Sequence, residues 1–301
     1  MKSWLPSAQD ADSSFLRRRT GLLAAFAALL SGCSAAGVLN KLVPRGGFRA
    51  TEGIAYGTHP RQKLDLYQPE PAGPGAPAPP LVVFYYGGNW AAGERADYLF
   101  VAQALASRGA AVVVPDYRLY PEVRYPDFLQ DSAAAARFAF DNARGWGADP
   151  GRFHLMGHSA GAYNAAMLAL DPRWLGPLRE QVAGLIGIAG PYDFLPIGNP
   201  GTQLVFGWPG TPADSQPVAH VNAKAPPTLL LAARKDSLVD PGRNSVALAE
   251  RLKASGVPVR LRLFDGVSHV SVIGAMAAPL RGLAPVLPEV LDFVGLEDAA
   301  A

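Results

Sequence analysis

A serine flanked by glycines, Gly157-His158-Ser159-Ala160-Gly161, stands where a short strand, Arg152 to Met156, gives way to a helix beginning at Ala160. In that setting G-x-S-x-G is the pattern of a nucleophile elbow. The tight turn strains the serine backbone, and the two glycines let strand and helix approach without a Cβ clash. The hydroxyl is then aimed above the sheet, at the helix N-terminus. The same five residues also fit an ordinary strand-to-helix turn with a capping serine, so their meaning rests on their partners.

A serine hydroxyl attacks poorly until a base takes its proton, and the base needs an acid to fix its tautomer and stabilise the imidazolium. Downstream of Ser159, Asp236 follows the apolar strand Thr228 to Ala233, and His269 follows the strand Val259 to Phe264. Both stand just past the C-terminal ends of strands, where open α/β sheets build their sites. The other four histidines fit the role less well. His154 lies inside a strand, His158 is locked in the elbow and directed away, and His59 and His220 precede the acid in chain order. Among alternative acids, Asp240 reads as a helix N-cap before Pro241, and Asp265 ends a strand only four residues before His269. Asp236 is favoured because its strand is the one before that of His269.

A third element is Tyr86-Gly87-Gly88-Asn89-Trp90, which follows another apolar strand. Consecutive glycines there free backbone N–H groups to face a developing oxyanion, although a plain glycine turn would look the same in isolation.

The elements that must position these residues alternate. Leu81 to Tyr86 and Ala110 to Val114 read as buried strands, separated by a helix over residues 95 to 108 that Gly109 stops. Helix Asp127 to Ala143, strand Arg152 to Met156, helix Ala160 to Leu170 and strand Val182 to Ala189 continue the pattern. Strand Thr228 to Ala233, helix Arg243 to Ala254, strand Val259 to Phe264 and a last helix near Pro285 to Val294 complete it. Continuously apolar strands between helices imply an α/β fold, a mostly parallel central sheet with helices on both faces. Residues 69 to 80, PEPAGPGAPAPP, are a loop or extended linker. Residues 191 to 227 lack periodicity, but Phe194, Leu195, Val205, Phe206 and Trp208 call for burial, which favours a pocket wall or small lid over a disordered insertion.

From about residue 50 to 295 the chain resembles the α/β-hydrolase esterases of the hormone-sensitive-lipase and feruloyl-esterase-like group, which carry H-G-G-x-W, D-Y-R-L-x-P-E, G-x-S-A-G, then Asp and His. Here these stand as Tyr86 to Trp90, Asp116-Tyr117-Arg118-Leu119-Tyr120-Pro121-Glu122, Gly157 to Gly161, Asp236 and His269. The resemblance implies a carboxylesterase with a Ser159, Asp236, His269 triad and oxyanion donors on the backbone N–H groups of Gly88, Asn89 and Ala160. It makes Asp116 to Glu122 a structural strand-exit turn beneath the site. Tyr86 departs from the family histidine, which leaves the backbone donors in place, and Asn89 offers a side-chain donor besides.

The beginning of the chain reads differently. Arg17, Arg18 and Arg19 precede an apolar run, Gly21 to Leu30, which ends in Leu30-Ser31-Gly32-Cys33. That layout is a secretory signal, too short for a membrane-spanning helix, and it resembles a bacterial lipoprotein signal in which Cys33 is the lipidated first residue of the mature chain. The arginine cluster also resembles a twin-arginine signal, and Ser34 the pattern sorted to an outer membrane. The expected organisation is a signal peptide over 1–32, a mature N-terminal segment and Pro-rich loop over 33–80, and a catalytic domain over 81–297.

Composition narrows the classes further. The chain has 301 residues, 49% of them hydrophobic and 17% charged, enough for one large core. Its net charge of +2 comes from the first 32 residues, beyond which acids and bases balance, so no nucleic-acid partner is expected. With Cys33 the single cysteine, no intrachain disulfide forms, and no Cys/His cluster has zinc spacing. The expected reaction is acyl transfer to water without cofactor or metal, on a short-chain carboxylic ester. An aryl formamide, as in the related kynurenine formamidases, is the second substrate class. A hydrolase-fold lipoprotein that binds without catalysis is the reading of another class.

Overall fold

A computed structural model describes residues 35–297, apart from 72 and 74. The chain divides into two units at Leu42. In the first, the described residues form the short helix α1 (Ala35–Lys41). Residues 1–32 and Cys33 lie outside the described residues.

The second unit is built on one eight-stranded sheet. Its strands are β1 (Phe48–Ala55), β2 (Lys63–Pro69), β3 (Pro80–Tyr85), β4 (Ala111–Pro115), β5 (Asp149–His158), β6 (Val182–Ile188), β7 (Thr228–Ala233) and β8 (Val259–Phe264), in the order β1-β2-β4-β3-β5-β6-β7-β8. The β1–β2 and β2–β4 pairs are antiparallel and all others parallel. The sheet therefore starts at Phe48, inside the segment expected only to lead into the fold. β1 is an edge strand with mostly exposed side chains and has no apolar alternation to announce it. In β2 a charged residue, Asp65, interrupts the apolar run yet is buried, because Arg95 Nε reaches its Oδ1 at 2.7 Å.

The central strands are apolar for a physical reason. Every side chain of β3, β4 and β7 is buried, and burying one such aliphatic side chain is worth roughly 1.5–3 kcal/mol. The helices that cover them are α2 (Leu99–Ala106), α3 (Asp127–Asn142), α4 (Ala160–Leu170), α5 (Pro172–Leu175), α6 (Pro200–Phe206), α7 (Ala247–Ala254), α8 (His269–Gly274) and α9 (Val286–Phe293). α3 packs beside α4, and α2 beside α9. The helix expected over 95–108 opens as a single 3-10 turn, Arg95–Tyr98, before α2, and α7 is preceded by a π-turn, Gly242–Val246.

This strand order dictates where a site forms. From β3 the chain moves to β4 on one side and returns to β5 on the other, so the loops after β3 and β5 diverge and leave a crevice at the carboxyl end of the sheet. The glycine loop and Ser159 are those two loops.

Candidate active site

Ser159 is the residue between β5 and α4, held at φ 53° and ψ −122°. A left-handed serine is costly, and the surroundings over-determine it. Its N–H donates to Ile188 O at 2.9 Å, fastening the elbow to β6. Both elbow glycines are demanded by space. A Cβ on Gly157 would lie 2.2 Å from Gly161 O, and one on Gly161 would lie 2.0 Å from Tyr85 O.

The sequence-derived partners come together on that serine. His269 Nε2 lies 2.8 Å from Ser159 Oγ, and His269 Nδ1 lies 2.7 Å from Asp236 Oδ2. His269 opens α8, and its position is fixed by a reciprocal cap between Ser268 and Ser271. Asp236 Oδ1 accepts from Leu238 N at 2.9 Å and Val239 N at 3.0 Å. Burial works against ionisation of this carboxyl, but the His269 bond and the two amides outweigh it and hold Asp236 below the ordinary carboxylate range. A buried anion thus faces Nδ1, the arrangement that directs the Nε2 lone pair at the serine. Asp240 caps its own turn at Arg243 N, 2.8 Å away, and Asp265 pairs with Arg234, so neither rival acid faces the histidine.

His158 and His154 are both buried. Desolvation, reinforced for His158 by the neighbouring His269, pushes their imidazoles down to about 3 for His158 and about 4 for His154. His158 is not directed away from the site as the sequence suggested. Its Nε2 donates to the carbonyl oxygen of His269 at 3.1 Å.

The glycine loop lies directly against Ser159. A Cβ on Gly87 would stand 2.9 Å from Ser159 Cβ, so only glycine permits this approach. Gly88, Asn89 and Trp90 all have positive φ, at 132°, 53° and 56°. Among the described residues the N–H groups of Gly88 and Asn89 have no protein acceptor, and Ala160, as the first residue of α4, has no intrahelical one. Among the described residues the three amides expected as oxyanion donors are therefore not spent on backbone acceptors.

What holds the loop was only partly readable in advance. Tyr86, in the place of the family histidine, is fully buried, stacked at 4.9 Å on Tyr117. Its hydroxyl donates to Asp116 Oδ1 at 2.8 Å and accepts from Arg61 Nη2 at 2.7 Å. Tyr117 Oη donates to Tyr86 O at 2.8 Å, and Tyr120 N donates to Trp90 O, also at 2.8 Å. The turn Asp116 to Glu122 thus grips the loop at both ends, and Arg118 anchors the turn to α3 through Asp131. Arg61 carried no signal in the sequence, since it lies in a loop far from any motif.

Residues 191–227 are ordered by side chains that cap backbone. Asn244 Oδ1 accepts from Tyr192 N and Asp193 N, and Gln216 Oε1 accepts from Phe194 N. Val205 and Phe206 are buried, whereas Phe194, Leu195 and Trp208 are half-buried. Phe206 packs edge-on at 4.9 Å against Trp90, which is also flanked by Tyr163 and Phe128.

An eight-stranded, mostly parallel sheet with a serine at its central strand-to-helix elbow defines the α/β-hydrolase class. The chain belongs, more narrowly, to the BD-FAE family, whose family model matches residues 64–252. It is similar to a probable isoprenylcysteine alpha-carbonyl methylesterase of Oryza sativa subsp. japonica, 30% identical over 82% of this chain and 64% of the relative. A probable isoprenylcysteine alpha-carbonyl methylesterase of Arabidopsis thaliana is 28% identical over 76% of this chain and 52% of the relative. The chain thus spans between about half and two-thirds of the length of these curated relatives. Among solved structures, an esterase of Pyrobaculum calidifontis superposes with a TM-score of 0.70 at 25% identity, over 87% of this chain and 89% of that one.

Proposed function

We propose that this protein hydrolyses carboxylic esters through an acyl-enzyme on Ser159. The observation that carries the reading is the continuous chain from Ser159 Oγ through His269 to Asp236, at 2.8 and 2.7 Å, beside unpaired loop amides. His269 Nε2 takes the serine proton as Oγ attacks the ester carbonyl. The tetrahedral oxyanion is met by the N–H groups of Gly88, Asn89 and Ala160. Collapse expels the alcohol, which takes the proton from Nε2. Water, deprotonated by the same nitrogen, then releases the acid and restores Ser159. An ester is favoured over an aryl formamide because the relatives are named as methylesterases and the similar structure as an esterase.

The second part of the proposal is location. The order of Arg17–Arg19, Gly21–Leu30 and Leu30-Ser31-Gly32-Cys33 supports export and lipid attachment at Cys33, which would tether the enzyme to a bacterial membrane, on the periplasmic side of an outer one. Among the described residues no helix is long and apolar enough to cross a membrane.

Labelling with a fluorophosphonate tests the chemistry. Wild type takes up one label, Ser159→Ala takes up none, and a panel of short acyl esters and aryl formamides is hydrolysed in the order esters first. Metabolic incorporation of an alkynyl fatty acid, lost in Cys33→Ala, tests the tether. Equal labelling of the Ser159→Ala protein, or formamides turned over faster than every ester, would overturn the corresponding part.

A further inference from the structure

Asn89 occupies the variable position of the glycine loop and supplies one of the three free amides, in a left-handed conformation at φ 53°. Asparagine tolerates that region better than most residues, but tolerance does not hold it there. The side chain is held from outside the loop. Thr202 Oγ1, on α6, has two carbonyl oxygens within reach, Asn89 Oδ1 at 2.8 Å and Asn199 Oδ1 at 3.3 Å, and its single proton goes to the nearer, Asn89. Thr202 is itself buried, at 8% exposure, and its own N–H is capped by Asn199 Oδ1 at 3.0 Å, so the hydroxyl is presented from a fixed helical turn. Space at the neighbouring residue is also tight: a Cβ on Gly201 would come within 3.3 Å of Asn89 Nδ2.

The same helix grips the next loop residue. Phe206, one turn further along α6, packs on Trp90, and Val205 O accepts from Tyr125 N at 3.0 Å. Two consecutive left-handed residues of the loop, Asn89 and Trp90, are thus each held by α6, one by a hydrogen bond and one by ring packing. α6 lies in the aperiodic stretch 191–227, outside every motif that carries the chemistry.

We infer that Thr202 is a positioning residue of the esterase reaction. Its hydroxyl fixes the Asn89 side chain and thereby the direction of the Asn89 N–H, which meets the oxyanion in the transition state more than the ester carbonyl in the ground state. The inference rests on the reading of Ser159 as nucleophile. A group acting this way changes kcat and leaves KM nearly untouched.

The test is steady-state hydrolysis of 4-nitrophenyl acetate by the full chain and its variants. Thr202→Val lowers kcat about tenfold, the scale of one lost neutral hydrogen bond, with KM within twofold. Thr202→Ala, which removes the hydroxyl without adding bulk, gives the same loss. Thr202→Ser, which keeps the hydroxyl, stays within threefold of wild type. In an Asn89→Gly background, where the bond has no acceptor but the positive φ is still allowed, Thr202→Val costs nothing further. A kcat unchanged in both Thr202→Val and Thr202→Ala, a Thr202→Ser protein as slow as these two, or losses that multiply with Asn89→Gly would overturn the positioning role. In those outcomes wild type is active and labels at Ser159. A wild type that neither hydrolyses esters nor labels overturns the nucleophile reading and this inference with it.

Discussion

His158 Nε2 donates to the main-chain carbonyl of His269 at 3.1 Å, so the residue before Ser159 holds the backbone of the residue that faces it. A carbonyl only accepts, which places the proton of the neutral ring on Nε2 and leaves Nδ1 as a lone pair. Among the described residues that buried Nδ1 has no partner. Protonating it would put a cation against Gly87, where burial penalises charge and the neighbouring His269 adds to the penalty.

Stability should therefore depend on pH through His158 and His154. Both are free to take a proton near 6.5 when unfolded, but only near 3 and 4 when folded. Between those values the unfolded chain binds more protons. Their contribution is complete above about 6.5 and is lost as the pH falls toward 4 and then 3, amounting to a few kcal/mol. Urea unfolding midpoints at pH 7.0, 5.5 and 4.5 should fall in that order, and His154→Gln should flatten the trend. A midpoint independent of pH across this range would contradict the burial argument.

Asp236→Asn keeps shape but removes the charge that fixes the His269 tautomer. Its kcat should drop by about 10³- to 10⁴-fold. Asp240→Asn and Asp265→Asn, whose carboxylates serve a cap and an exposed Arg234 pair, should stay within threefold of wild type. Equal effects of the three substitutions on ester hydrolysis would show that the wrong acid has been assigned.

Gly161→Ala should fail where Gly282→Ala succeeds. A methyl on Gly161 meets Tyr85 O at 2.0 Å, backbone against backbone, whereas one on Gly282 meets nothing within 4 Å. Thermal unfolding should show Gly282→Ala within about 0.5 kcal/mol of wild type, and Gly161→Ala destabilised by more than about 3 kcal/mol or not folded. A stable, active Gly161→Ala protein would mean that the elbow is looser than described.

Tyr86→Phe removes a buried hydroxyl that both donates to Asp116 and accepts from Arg61. Stranding these partners should cost about 1–3 kcal/mol of stability, read by chemical denaturation. Activity should fall less than tenfold, because the loop amides belong to the residues that follow. A larger loss of kcat than of stability would make Tyr86 part of the chemistry.

The elements and residues that the sequence made legible share a trait: their signal is local or ordered along the chain. β3, β4 and β7 are buried on both faces, so their runs are apolar but for Thr228 at the start of β7. Ser159 has a five-residue motif, and Asp236 and His269 follow successive strands. The remainder depends on tertiary partners. β1 pairs at a sheet edge with exposed side chains, and β2 contains a buried Asp65 whose burial makes sense only beside Arg95. α6 has only seven residues, Pro200–Phe206, too few to show a period. Arg61, Thr202 and the inward turn of His158 are visible only once loops distant in sequence meet.

The central claim is that Ser159 carries the acyl group during turnover. Wild-type protein mixed with 4-nitrophenyl butyrate, quenched in acid within milliseconds and digested, should yield the peptide containing Ser159 heavier by one butyryl group, and Ser159→Ala should yield no adduct and no hydrolysis above background. Full-rate hydrolysis by the Ser159→Ala protein, with no acylated peptide from wild type, would contradict the account.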